Sequence, residues 1–160
     1  MLKIGDKMPY FEVINQHGEK ITSNSLLGRK TIIYFYPKDN TSGCTAEACN
    51  LRDNYDALTA KGYNIVGVSK DSAESHRKFI DKYSLPFTLL ADTTTDMQQA
   101  FGVWGEKSLY GRKYMGTMRR TFIFDEQGIL TEIIEKVNTK DHAAQILGKY
   151  LHQNKKMGTK

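Results

Sequence analysis

The chain of 160 residues reads as a single α/β domain, a central mixed sheet flanked by helices, and three observations carry that reading. First, Thr31-Ile32-Ile33-Tyr34-Phe35 and Tyr63-Asn64-Ile65-Val66-Gly67-Val68-Ser69 are β-branched and aromatic runs too apolar to be exposed, as central strands buried on both faces are. Second, the residues from Cys44 to Leu58 between them carry helix formers, with Leu51, Tyr55 and Leu58 at helical spacing. Third, the chain closes with two strands and an amphipathic helix. Strands alternating with helices, then a closing hairpin, make an α/β layered domain.

Each element has its own local reason. Tyr10 to Ile14, the turn Asn15-Gln16-His17-Gly18 and Glu19 to Thr22 predict an N-terminal hairpin. Ser23 to Leu27 forms one helical turn before Gly28, and the strand Thr31 to Tyr36 follows. Ser72 is placed to cap a helix from Ala73 to Lys82 that carries His76 and Phe79. Pro86 breaks that pattern, Phe87 to Leu90 is a short strand, and Thr95 to Phe101 a short helix. From Gly102 to Met118 there are four glycines and no clear period, which predicts a loop. Arg119 to Asp125 and Leu130 to Val137 are strands joined by Glu126-Gln127-Gly128. Lys140 to His152 is an amphipathic helix with Ala143, Ile146, Leu147 and Leu151 facing inward.

Composition narrows the function classes. A hydrophobic content of 39% and a charged content of 26% are ordinary for a globular domain able to bury a core without disulfides. The formal net charge is +5, but part of it sits in Lys155 to Lys160, so residues 153–160 read as a flexible, solvated basic tail. No nucleic-acid-binding module is visible, and none of the apolar runs approaches the roughly twenty residues that span a bilayer. Met1 to Asp6 lacks an apolar signal core, so the expected compartment is the cytoplasm. The four histidines, His17, His76, His142 and His152, make no zinc spacing with the cysteines, and nothing supports a His76–Cys44 protease pair.

Both cysteines lie in Tyr36-Pro37-Lys38-Asp39-Asn40-Thr41-Ser42-Gly43-Cys44-Thr45-Ala46-Glu47-Ala48-Cys49, where strand passes through a polar loop into helix. A cysteine at such a turn meets unpaired backbone N–H groups and the positive end of the helix dipole, and both favour a thiolate. Residues five apart on a helix have Cα atoms roughly 8.6 Å apart. A disulfide tolerates only about 7 Å. A helix beginning at Cys44 therefore keeps the two thiols apart until its first turns unwind.

The run Tyr34 to Thr45, with Glu47 and Cys49, resembles the active-site signature of peroxiredoxins of the AhpC/TSA superfamily. It is most similar to the bacterioferritin comigratory protein or peroxiredoxin Q subfamily, whose second cysteine lies five residues after the first. Pro37, Thr41 and Cys44 supply the family pattern Pro-x-x-x-Thr-x-x-Cys, while Ser42 replaces the subfamily's usual proline. Val68 to Ser72, Leu85 to Asp92, Phe101 to Trp104 and Arg119 to Asp125 also look like family blocks. The resemblance implies a thioredoxin-like fold with an N-terminal hairpin extension. It implies an antioxidant thiol peroxidase reducing hydrogen peroxide or organic hydroperoxides, with Cys44 attacking the peroxide and Cys49 resolving its sulfenic acid as an intramolecular disulfide. Thioredoxin, or a glutaredoxin, is the implied reductant; no flavin, haem or metal is implied, and the state is monomeric. It assigns the catalytic arginine to Arg119, three residues before Phe122. It places the Thr41 hydroxyl between thiolate and peroxide, has Pro37 shape the loop, and has Glu47 hold the arginine.

Read from the residues alone, alternatives stay open. Cys49 fits a buried small hydrophobe, Pro37 a strand terminator, Thr41 a turn cap and Glu47 a solvated helix glutamate. A thioredoxin-type thiol–disulfide oxidoreductase normally shows Cys-x-x-Cys, which the wider gap here argues against. A non-catalytic scaffold would survive the loss of Cys44.

Overall fold

The computed structural model describes residues 2–148. Its centre is a seven-stranded mixed sheet in the order β2-β1-β5-β4-β3-β8-β9. The strands are β1 (Glu12–Asn15), β2 (Lys20–Thr22), β3 (Lys30–Phe35), β4 (Tyr63–Ser69), β5 (Thr88–Ala91), β8 (Arg120–Phe124) and β9 (Leu130–Ile134). Strands β3, β4 and β5 run parallel, while β8 and β9 and the β1–β2 hairpin add antiparallel flanks. The two apolar runs of the sequence are thus the sheet's middle, with Thr31 to Phe35 wholly buried.

Alternation along β3 builds two cores. Ile32, Tyr34 and Tyr36 face one side, where they meet Ala48 and Leu51 of α1 (Ser42–Asp53), Leu58 of α2 (Tyr55–Ala60), Phe79 of α3 (Ala73–Tyr83) and Ile146 of α5 (His142–Ile146). Ile33 and Phe35 face the other, against Phe11, Phe101, Phe122 and Met97 of α4 (Asp96–Ala100). Gly67 of β4 sits beside Tyr34 of β3, and a Cβ there would come within 2.8 Å of the tyrosine ring and 2.7 Å of Leu89. The glycine makes the room that the ring occupies.

The N-terminal hairpin, the cap of α3 by the Ser72 side chain, and the placement of α4 and β5 agree with the sequence reading to within a residue or two. Three features differ. The helix expected from Cys44 to Leu58 starts two residues earlier and is broken at Asn54, whose side chain bonds back to the Asn50 carbonyl (2.8 Å) as the backbone leaves helical geometry. The segment expected to be a loop, Gly102 to Met118, is a second hairpin, β6 (Trp104–Leu109) with β7 (Arg112–Thr117). Its turn, Tyr110-Gly111, has positive φ at both residues (51° and 78°), the geometry that matches strand twist in a two-residue turn. The expected last helix, Lys140 to His152, is shorter: α5 begins at His142 and stops at Ile146, where Leu147 and Gly148 form a turn with Gly148 at φ 80°, and residues 149–152, like the tail 153–160, lie outside the described residues.

Candidate active site

Strand β3 delivers the chain to Tyr36, and the loop that follows is anchored by Asp39 rather than left free. The Asp39 carboxylate, almost wholly buried, accepts from the Tyr36 hydroxyl (2.6 Å) and the Ser75 hydroxyl (2.8 Å) and pairs with His76 Nδ1 (2.7 Å). His76 Nε2 faces the Leu90 carbonyl (2.9 Å), which can only accept, so Nε2–H is the donor there and Nδ1 is the atom turned to Asp39. The Asp39 backbone N–H donates to Asp71 (2.8 Å). Four elements therefore fix the loop that presents the cysteine, and His76 is occupied with Asp39, away from Cys44.

Helix α1 then opens with Thr41 at its N-cap and Cys44 as its third residue. Its first intrahelical bond is Thr45 N–H to the Thr41 carbonyl (2.8 Å), so the N–H groups of the preceding residues point outward from the helix end. Cys44 is only 2% exposed. Arg119, just ahead of β8, reaches it: Nη2 donates to Cys44 Sγ at 3.3 Å. Gly43 permits that approach, since a Cβ there would lie 3.3 Å from the same Nη2. A helix terminus and a guanidinium converge on one sulfur, and both stabilise negative charge there.

The other guanidinium nitrogen, Nη1, donates to Glu47 Oε1 at 2.6 Å. Glu47 is one helical turn past Cys44 and is wholly buried, so it is not a solvated glutamate. Burial pushes its carboxyl up to about 7, although Arg119 pulls the other way. Its second oxygen, Oε2, is buried without a hydrogen bond and stands 3.6 Å from His142 Nε2. His142 of α5 is itself buried between the Thr121 hydroxyl (2.7 Å) and Gln145 Oε1 (2.8 Å), and burial pushes its imidazole down to about 4.

Of the residues named from the sequence, Cys44, Glu47 and Arg119 come together in one chain of contacts. Pro37 is half-buried in the anchored loop, and Thr41 is exposed, its hydroxyl donating to the Lys38 carbonyl (2.8 Å). Cys49 is partly buried, lies five residues along the same helix and is a free thiol, as is Cys44. Asn50, next in the chain, ties α1 to a segment distant in sequence: its side chain donates to the Lys140 carbonyl (3.1 Å) and accepts from the Ala143 N–H (2.8 Å). Sequence reasoning missed Asp39, His76, Thr121 and His142 as parts of the site. A histidine on an expected helix was visible in each case, but partners 37 and 95 positions away in sequence were not. Among the described residues no group of three or more His, Cys, Asp or Glu side chains is arranged for a metal, and no helix is long and apolar enough to cross a membrane.

A buried thiol at a helix start, faced by an arginine and mounted beside the central strand of such a sheet, defines the class as a cysteine-based oxidoreductase of thioredoxin-like fold. Residues 4–133 match the AhpC/TSA family. The chain is 41% identical over 148 residues to a putative peroxiredoxin bcp of Coxiella burnetii, covering 92% of this chain and 98% of that one. It is 43% identical over 146 residues to peroxiredoxin Bcp of Bacillus subtilis, covering 91% and 93%. A structure of Xanthomonas campestris peroxiredoxin Q superposes with a TM-score of 0.81 at 33% identity, covering 87% of this chain and 88% of that one. One of the same organism's bacterioferritin comigratory protein, described with alkyl peroxide reduction activity, gives 0.81 at 31%, covering 89% and 91%. The chain belongs to the AhpC/TSA family, as a peroxiredoxin of the bacterioferritin comigratory protein or Q kind, and is a thiol peroxidase.

Proposed function

We propose that the chain reduces hydrogen peroxide and organic hydroperoxides through a cycle confined to Cys44 and Cys49. The observation that carries this reading is the 3.3 Å contact of Arg119 Nη2 with Cys44 Sγ at the start of α1. The sulfur attacks one oxygen of the O–O bond, which breaks, and the other oxygen leaves with a proton as water or an alcohol. Arg119 and the helix terminus stabilise charge as it moves from sulfur to the leaving oxygen. The Thr41 hydroxyl, whose proton is spent on the Lys38 carbonyl, keeps its lone pairs for the peroxide O–H. Pro37 shapes the loop, and Glu47 sets the arginine.

Cys44 is then a sulfenic acid. The Cys49 thiolate attacks its sulfur, hydroxide leaves as water after taking a proton, and an intramolecular disulfide remains. Both residues lie within α1, where Cα atoms five apart are roughly 8.6 Å distant, so the first turns of α1 must unwind. A reduced dithiol protein, thioredoxin or a glutaredoxin, returns both thiols in the cytoplasm, and the chain works as a monomer.

Fully reduced protein given one equivalent of hydrogen peroxide tests the scheme by thiol count and intact mass. Loss of both thiols with a mass two hydrogens lower and no dimer is the expected result. One thiol lost with one oxygen gained would make it a one-cysteine peroxidase. Normal thioredoxin-dependent turnover in Cys49→Ser would remove Cys49 from the cycle.

A further inference from the structure

The β6–β7 ribbon pairs with neither edge of the seven-stranded sheet. Its base is fixed: the Thr117 hydroxyl bonds to the Gln98 side chain, Met118 lies against Gly105, and Lys70 Nζ stands 5.7 Å from the centre of the Trp104 ring. Its outer part, Ser108 to Met115, is exposed throughout. With six residues in each strand the ribbon is roughly 20 Å long.

That outer part is apolar where water meets it. Tyr110 is 97% exposed, Leu109 55%, Met115 52% and Tyr114 46%. Tyr110 also sits at a left-handed turn position (φ 51°) that Asn, Asp or Gly fills more easily, so the turn itself does not call for the ring. Directly opposed residues of an antiparallel pair share a face. Leu109, Tyr114 and Arg112 therefore lie on one face of the ribbon, Met115 and Lys113 on the other, and Tyr110 at its end. Lys107 Nζ folds back on the Thr117 carbonyl (3.0 Å). Against these three cations the stretch from Trp104 to Thr117 has one acid, Glu106, 3.7 Å from Lys113. The tip is positive as well as apolar.

A rigid partner protein covers one face of a ribbon. Apolar groups on both faces and at the end are covered together only by a medium that closes round them. The headgroup layer of a bilayer does so, taking apolar side chains to about 5–10 Å while Lys and Arg reach back to the phosphates. Three residue steps, Tyr110 back to Lys107, span about 10 Å.

We propose that the β6–β7 tip docks this chain on an anionic bilayer surface, with Leu109, Tyr110, Tyr114 and Met115 in the headgroup–acyl boundary and Arg112 and Lys113 on lipid phosphates. The leaflet facing the cytoplasm, where the cycle is proposed to run, carries the negative charge that this asks for. Docking of this kind needs no membrane-spanning helix. The ribbon ends at Thr117, two residues before Arg119, which touches Cys44, so a docked chain holds its thiol roughly one ribbon length, 20 Å, from the lipid.

The test is cosedimentation of the full, reduced chain with vesicles, and it reads no peroxide turnover, so its failure is distinct from failure of the peroxidase cycle. Binding is expected to vesicles of roughly one part phosphatidylserine to two of phosphatidylcholine, and not to phosphatidylcholine alone. Leu109→Ser with Tyr110→Ser lowers it about tenfold or more, and Arg112→Gln with Lys113→Gln about fivefold or more. A chain with Lys155→Gln, Lys156→Gln and Lys160→Gln still binds and still responds to loss of Leu109 and Tyr110. In Trp104→Phe with Tyr110→Trp, fluorescence shifts to the blue on the anionic vesicles and is quenched by lipids brominated near the headgroup. Denaturant midpoints show that each variant is folded. No binding to the anionic vesicles, equal binding to phosphatidylcholine, or binding that only the tail variant abolishes overturns the proposal. So does a dimer on light scattering that Leu109→Ser with Tyr110→Ser dissolves, which would make the tip a contact between copies. Binding to soluble polyglutamate as tight as to the vesicles would make it a contact for an acidic protein and overturn the proposal equally.

Discussion

Arg119 is asked to do two things with one guanidinium, hold a sulfur through Nη2 and a carboxyl through Nη1. A charge-assisted hydrogen bond is worth about 1.5–3 kcal/mol, so Arg119→Met is expected to lower kcat/KM for hydrogen peroxide by about 10- to 100-fold. Steady-state kinetics check this, and a loss under threefold would take the arginine out of the chemistry. The Glu47–His142 pair makes a second prediction, on stability. Glu47 is raised from 4.5 to about 7, so on its own it stabilises the fold fully below 4.5 and loses that contribution as pH rises to about 7. His142 is lowered from 6.5 to about 4, so its contribution is present above 6.5 and lost as pH falls to about 4. Between those limits folding moves one proton from histidine to glutamate, and the two slopes cancel. Glu47→Gln should leave the histidine slope alone, with stability falling by up to about 1.4 kcal/mol per pH unit below 6.5. His142→Leu should show the opposite slope between pH 4.5 and 7. Denaturant melts at several pH values check both, and parallel pH curves for wild type and both variants would refute the two shifts.

At the scale of the element, β4 passes beneath Tyr34 only because Gly67 has no side chain. Gly67→Ala drives a methyl into the ring and into Leu89, and overpacking of this kind costs about 1–3 kcal/mol. A lower denaturant midpoint at unchanged slope is the expected result; an unchanged midpoint would mean that the ring yields freely. Elements with a strong local signal were legible from residues alone: β3 and β4 by their apolar runs, α3 by Ser72, and the start of α1, to within two residues, by the polar loop before Cys44. The β6–β7 hairpin was not, because both of its faces are largely exposed and its four neighbouring glycines erase the alternation. The signal that remained was Tyr110-Gly111, a pair able to take positive φ. The break at Asn54 was hidden for a related reason, since Leu51 and Leu58 keep helical spacing across it. In the site, the motif marked Cys44 and Glu47, while the Glu47–His142 and Asp39–His76 pairs are made by the sheet's crossovers and leave no trace in local pattern.

At the scale of the molecule, the exposed large apolar side chains among the described residues are Ile4, Tyr10, Ile14, Leu27 and those of the Leu109–Met115 region, and like net charge of +5 opposes self-association. Light scattering on the reduced protein is expected to return the mass of one 160-residue chain, and a stable dimer mass would refute the monomer. Asn50 gives this molecule a fixed mooring. It pins α1 to α5 immediately after Cys49, so everything from Ser42 to Cys49 lies on one side of the pin and the packed body of the helix on the other. Five residue steps of uncoiled chain span up to roughly 17 Å, so the freed segment has ample slack to bring one sulfur to the other. In the proposed cycle the spent enzyme differs from the ready one by a short loose strand where two helical turns had been. A reducing protein that grips that strand would engage the oxidised form and ignore the reduced one, with no signal beyond the coil itself.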